Sequence, residues 1–141
     1  MDYNFSPVKD FGNLESAITA LYGENNREKQ VARYRHLLEG FNKTFGEREN
    51  MAIFSAPGRT EIGGNHTDHQ HGKVLAGSVN LDIIAAVAPN NDNVIRIQSE
   101  GFHMNTVDLS DLAVHESDID NSDGIVRGVA ARFAQDRKSV V

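Results

Sequence analysis

Three features of the sequence predict an α+β fold: two amphipathic helical stretches at the N-terminal end, short apolar or alternating segments in the middle, and a last amphipathic helix. The 141 residues amount to one domain's worth of chain at most, and 39% hydrophobic residues suffice for a modest core. The longest uninterrupted apolar run, Ile83 to Ala88, is far too short to span a bilayer. The opening MDYNFSPVKD lacks the basic-then-apolar pattern of a secretory signal. Cysteine is absent, which removes disulfides and thiolate metal sites. A net charge of -6 with no block of Lys and Arg argues against nucleic acid or an anionic membrane as the main partner. A soluble, cytoplasmic domain is expected.

Asn13 is placed to cap a short helix whose Leu14, Ala17, Ile18 and Leu21 share a face and which Gly23 ends. A longer helix is predicted from about Asn26 to Phe45, because Val31, Tyr34, Leu38, Phe41 and Phe45 follow one another at intervals of 3, 4, 3 and 4. For both helices the expected role is core packing. After the polar break Glu47 to Asn50, Met51 to Ala56 reads as a buried strand stopped by Pro57. Val74 to Val79 and Leu81 to Ala88 read as two further strands. The second is so nearly continuous in apolar residues that both its faces are expected to be covered. Pro89 to Asn93 is a turn. Val94 to Ser99 and Met104 to Leu109 alternate as strands do, and Leu112 to Ser122 is a polar, acidic loop. From Asp123 a final helix carries Ile125, Val126, Val129, Ala130 and Phe133 on one side.

The chemistry gathers in Pro57 to His71, PGRTEIGGNHTDHQH, where neither strand nor helix periodicity of apolar residues runs. The stretch therefore reads as a loop that holds something small and polar. One reading is a metal site, since His66, Asp68, His69 and His71 are all ligand types. Their spacing has no strong mechanical rationale for a catalytic site, which usually draws its ligands from several elements. A second reading is a polyol or sugar site. There Asp68 accepts two hydroxyl hydrogen bonds, His66 and Asn65 donate or accept, and Arg59 offers a donor fork for a phosphate or carboxylate. A third is that Arg59 and Asp68 merely pair across the loop and shape it.

Ala56-Pro57-Gly58-Arg59, then Ile62, Gly64 and His66-Thr67-Asp68, followed by Gly72, Val74 and Leu75, resemble the N-terminal signature of galactokinases, members of the GHMP kinase superfamily. Gly124 to Ala130, GIVRGVA, is similar to the helix that precedes the ATP-binding segment in that family, and the resemblance runs from about Phe5 to Gln135. It implies the N-terminal part of a GHMP kinase fold: helices, a mostly antiparallel or mixed sheet, and a packing helix. It also implies transfer of the ATP γ-phosphoryl group, with Mg²⁺, to the anomeric hydroxyl of galactose. In that setting Arg59 would stabilise the transferring phosphoryl group or help hold the catalytic base ionised, and Asn65, His66, Thr67 and Asp68 would bind the sugar, with no metal held by the histidines.

The match has departures. The family commonly has Glu where Asn65 stands, Tyr where His69 stands and Asn where Glu61 stands. Its glycine- and serine-rich phosphate loop, G-L-S-S-S-A, and the downstream Asp base do not occur in these 141 residues, so the isolated chain is expected to be inactive as a kinase. A non-catalytic galactose-binding relative is the alternative of another class, and a His-rich metal hydrolase a more distant one. Residues 1–135 are expected to form the incomplete N-terminal part of such a kinase domain. Residues 136–141, DRKSVV, match the translation of a widely used sequencing-library adapter and are expected to be a non-native tail.

Overall fold

In the computed structural model, residues 11–64 and 71–138 are described. The chain forms two compact units, Met1–Pro89 and Asn90–Val141, which divide inside the turn marked by Pro89-Asn90. Both are α+β, and each contains one two-stranded antiparallel sheet.

The first unit begins with helices α1 (Phe11–Tyr22) and α2 (Arg27–Phe45), joined by a 3-10 turn at Glu24–Asn26. The helix starts at Phe11 rather than at an Asn13 cap, so Asn13 lies exposed in the first turn. The stripes are covered in part: among the described residues of this helical pair Ile18 and Tyr34 are buried and Leu14, Val31, Leu38, Phe41 and Phe45 half-buried, but Ala17 and Leu21 of the expected α1 face are exposed. Glu15 of α1 ties the two helices together by accepting from Arg27 Nη2 at 2.8 Å and Arg35 Nη2 at 3.3 Å. The longer helix ends where predicted, with Gly46 N–H donating to the Asn42 carbonyl at 2.9 Å.

Two corrections concern the strands. Strand β1 (Ala52–Gly63) does not stop at Pro57 but runs through Pro57-Gly58-Arg59 and on to Gly63, antiparallel to β2 (Leu75–Val87), itself one continuous strand instead of two. A proline that cannot donate is tolerated because a two-stranded sheet consists of edge strands only. The polar residues that follow are tolerated because one side of such a hairpin faces water. The second correction concerns cover. Helix α2 packs on β2, with Asp82, Ile84 and Ala86 half-buried, but Leu81 and Ile83 are 76% and 77% exposed. One helical layer on a two-stranded sheet cannot cover both faces, whatever the apolar content of the strand.

The second unit pairs β3 (Val94–Ile97) with β4 (Asn105–Asp108) and packs α3 (Ser122–Lys138) on β4, with Val107 as its buried residue. The expected polar loop between them includes a 3-10 turn at Glu116–Asp118. The apolar residues of α3 split between faces. Val126 and Ala130 are half-buried, whereas Ile125, Val129 and Phe133 are exposed. The helix runs without a break past Gln135 to Lys138.

Candidate sugar-binding hairpin

Arg59 stands on β1 opposite Ser78 of β2, four residues before the loop that begins after Gly63. Its side chain is 75% exposed, and Nη2 donates to Glu61 Oε1 at 3.1 Å. Residues i and i+2 of a strand share a face, so reading this stretch as a loop hid the Arg59–Glu61 pair, and reading it as a strand reveals it. Asn65, His66, Thr67 and Asp68 fall outside the described residues, as do His69 and any Arg59–Asp68 pair.

The base of the loop is tightly closed. Gly64 has φ +84°, and a Cβ there would lie 2.2 Å from the Lys73 carbonyl oxygen and 3.0 Å from Val74 Cα. Only glycine lets the two chain segments approach so closely in that conformation. His71 likewise has positive φ, at 59°.

Below Arg59 the ladder is irregular. Pro57 faces Asp82 and Arg59 faces Ser78, so β1 advances two residues where β2 runs through four. The two extra residues of β2 make a bulge opposite Gly58, whose Cβ position would sit 3.1 Å from both the Leu81 carbonyl oxygen and Val79 Cγ2. A second shift between Glu61 and Gly63 leaves one extra residue, Ile62, on β1.

Beside the larger bulge lies a polar cluster that sequence reasoning missed. Asp82, with a side chain 9% exposed, accepts from Arg33 Nη1 at 2.6 Å, from Ser55 Oγ at 2.6 Å and from the Tyr22 hydroxyl. Arg33 Nη2 donates to the Asp82 carbonyl at 2.7 Å, and the Tyr22 and Tyr34 hydroxyls are 3.0 Å apart. The cluster joins α1, α2, β1 and β2. Burial pushes the Asp82 carboxyl up, but hydrogen bonds from Ser55, Tyr22 and Arg33, together with the Arg33 charge, outweigh it and hold the group at about 2. Burial and the Tyr22 hydrogen bond push the Tyr34 phenol well above its ordinary range. The available signal was a lone aspartate between the apolar residues Leu81 and Ile83. A charge on a half-covered strand needs a partner, though the sequence does not say which arginine supplies it.

Residues 39–89 match the family model described as the galactokinase galactose-binding signature. The hairpin and its loop carry a galactokinase signature. The chain is 41% identical over 69 residues to the galactokinase of Bacillus subtilis (strain 168), covering 48% of this chain and 18% of that protein. To the galactokinase of Lactococcus lactis subsp. cremoris (strain MG1363) it is 32% identical over 88 residues, covering 62% of this chain and 21% of the relative. The galactokinase of Lacticaseibacillus casei is 39% identical over 64 residues, 45% of this chain and 16% of the relative. The matched chain thus spans about a fifth or less of these galactokinases. No solved structure matches it. The galactokinase signature begins near the end of α2, six residues after Arg33, and runs just past β2, so it takes in both strands and the Asp82 bulge but not Arg33.

Among the described residues no group of three His, Cys, Asp or Glu side chains could hold a metal ion. No helix among them is long and apolar enough to cross a membrane.

Proposed function

We propose that residues 1–135 are the N-terminal, galactose-binding part of a galactokinase-type sugar kinase. The signature over residues 39–89 carries this reading. The hairpin geometry supports it, because β1 presents an exposed Arg59 next to a loop whose two ends Gly64 and Lys73 bring together. In this reading Asn65, His66, Thr67 and Asp68 bind the sugar, with Asp68 accepting from its hydroxyls, while Arg59 neutralises charge on the transferring phosphoryl group. The sugar is galactose or a close relative of it. Asn65 removes a charged acceptor relative to the family pattern, which weakens the hold on one hydroxyl.

ATP and Mg²⁺ are the co-substrates proposed for the complete kinase. The described residues do not fit them: no cluster of metal-ligating side chains is present among them, and the 141 residues contain no G-L-S-S-S-A loop. In this reading Asn65, His66, Thr67 and Asp68 bind and orient the sugar and Arg59 supplies one cation.

Calorimetric titration of the 141-residue chain with galactose tests the reading. Saturable binding that Asp68→Ala abolishes or strongly weakens is expected, with no galactose 1-phosphate formed when ATP and Mg²⁺ are added. Absence of saturable binding, or full affinity in Asp68→Ala, would contradict the assignment.

A further inference from the structure

We propose that Asp82 is a positioning residue for the galactose signature: held by Arg33, Ser55 and Tyr22 beside the β2 bulge, it fixes the register of the two strands that carry Arg59 and the ends of the sugar loop. The proposal deepens the function proposed above and rests on it.

A bulge of two extra residues leaves a near alternative, the regular ladder. With Arg59 kept opposite Ser78, regular pairing would place Asn80 opposite Pro57 and Asp82 opposite Ser55. Such a slide moves this part of β2 by two residues, about 6–7 Å along the strand. It also keeps every side chain on its own face, so apolar alternation offers little resistance to it. What resists it is chemical. Asp82 is gripped at its carboxylate by Arg33 Nη1, Ser55 Oγ and the Tyr22 hydroxyl, and at its backbone carbonyl by Arg33 Nη2. Sliding would bring Asp82 opposite Ser55 but would pull it from the Tyr22 hydroxyl and from both Arg33 contacts. At the other end of the ladder, the contact of Gly64 with Lys73 holds the loop's base. The bulge lies between two anchors, and Arg59 lies between the bulge and the loop. Misplacement of a binding group by an ångström or so is enough to lose much of its effect.

The test uses the 141-residue chain, with galactose titration and cross-strand nuclear Overhauser contacts as readouts. In the unaltered chain galactose binds and contacts join Arg59 to Ser78. Asp82→Asn is expected to weaken galactose about tenfold or more and to lose those contacts. Tyr22→Phe removes a helix donor that the slide would break and is expected to give a smaller loss in the same direction. Phe41→Ala removes the Phe41–Phe45 ring contact two turns along α2 from Arg33 and serves as the control for lost stability. Its affinity should stay within about twofold of the unaltered chain. Unchanged affinity and contacts in Asp82→Asn would overturn the proposal, as would an equal loss in Phe41→Ala. Should Asp82→Asn fail to fold, Tyr22→Phe and Arg33→Lys decide on the same readouts, and full affinity in both overturns it. A chain that binds no galactose overturns the function proposed above, and this inference with it; binding that Asp82→Asn leaves intact overturns this inference alone.

Discussion

Arg33 holds Asp82 twice, once through the carboxylate at 2.6 Å and once through the backbone carbonyl at 2.7 Å, so one guanidinium fixes both the side chain and the main chain of β2. Arginine suits this because its donors form a rigid fork, whereas a lysine offers a single point charge. The pair links α2 to the hairpin, and the Asp82 side chain is largely covered while Arg33 is partly exposed. Its effect should be visible as a pH dependence.

The Asp82 carboxyl lies at about 2 in the folded chain against an ordinary 3.8. A depressed carboxyl contributes stability that is complete above the unfolded value and lost as pH falls through the folded one. The stability of the first unit is therefore expected to decline between about pH 4 and pH 2, by about 1–2 kcal/mol once solvent screening is allowed for. Urea unfolding followed by tyrosine fluorescence at pH 5 and pH 2.5 measures this. Asp82→Asn should be less stable at pH 5 and should show a flatter pH dependence over that window. An equally steep dependence in the variant would assign the effect to other carboxylates.

Gly64→Ala should harm the chain out of proportion to one methyl group. The residue has φ +84°, and the added Cβ would fall 2.2 Å from a main-chain oxygen, which cannot rotate away as a side chain can. The loop base has to open. A loss of roughly 1–3 kcal/mol in stability is expected, together with weakened galactose binding. Gly63→Ala is the internal control, because nothing lies within 4 Å of its Cβ position. Equal melting temperatures for the two variants would count against the closed loop base.

In the second unit Arg127 donates from Nε to Asp118 Oδ2 at 3.0 Å and from Nη1 to the Asp111 carbonyl at 2.7 Å. Burial pushes the Asp118 carboxyl up, but the Arg127 hydrogen bond, aided by the His115 backbone N–H, brings it below its ordinary range. Both side chains are largely covered, so removing Arg127 leaves Asp118 without its charged partner. Arg127→Ala is expected to lower the melting temperature of the second unit. Arg127→Lys should recover only part of that, because the ammonium cannot reach both acceptors in the fork's geometry. Thermal unfolding of the three chains decides.

The legible and illegible parts of this chain differ in a physical way. The helices follow from stripes at 3.6-residue spacing, and Tyr34 in the predicted stripe is buried as expected. The turn at Pro89-Asn90 was legible too, and the division between units falls there. The extension of β1 through Pro57-Gly58-Arg59 was not. Local composition favours a loop, and the pairing with Ser78 to Asp82 that overrides it is non-local. The same holds for the exposure of Leu81 and Ile83, since sequence gives a strand's apolarity but not how many layers cover it. For the site, the motif residues around Arg59 stood out because their types are unusual together. Asp82 did not, because its meaning lies in Arg33, forty-nine positions away.

Arg59 and Asp68 provide the sharpest separation between a binding role and a shaping one. If the two residues only paired across the loop, each substitution would lower stability and sugar binding together. The exposed Arg59 has Glu61 as its partner at 3.1 Å, and surface pairs of this kind contribute about 0–1 kcal/mol. Arg59→Ala is therefore expected to leave the melting temperature nearly unchanged. In a complete kinase it should lower kcat more than it raises KM, as befits a group that acts on charge in the transition state. Asp68→Ala should do the reverse. Hydrogen bonds to a charged acceptor contribute roughly 1.5–3 kcal/mol each, so galactose affinity should drop by at least about tenfold, with ATP binding little changed. Measuring melting temperature, galactose affinity and the two kinetic constants for both variants distinguishes the accounts. Parallel losses of stability and binding in both, with no kinetic difference, would leave Arg59 and Asp68 as loop-shaping residues only.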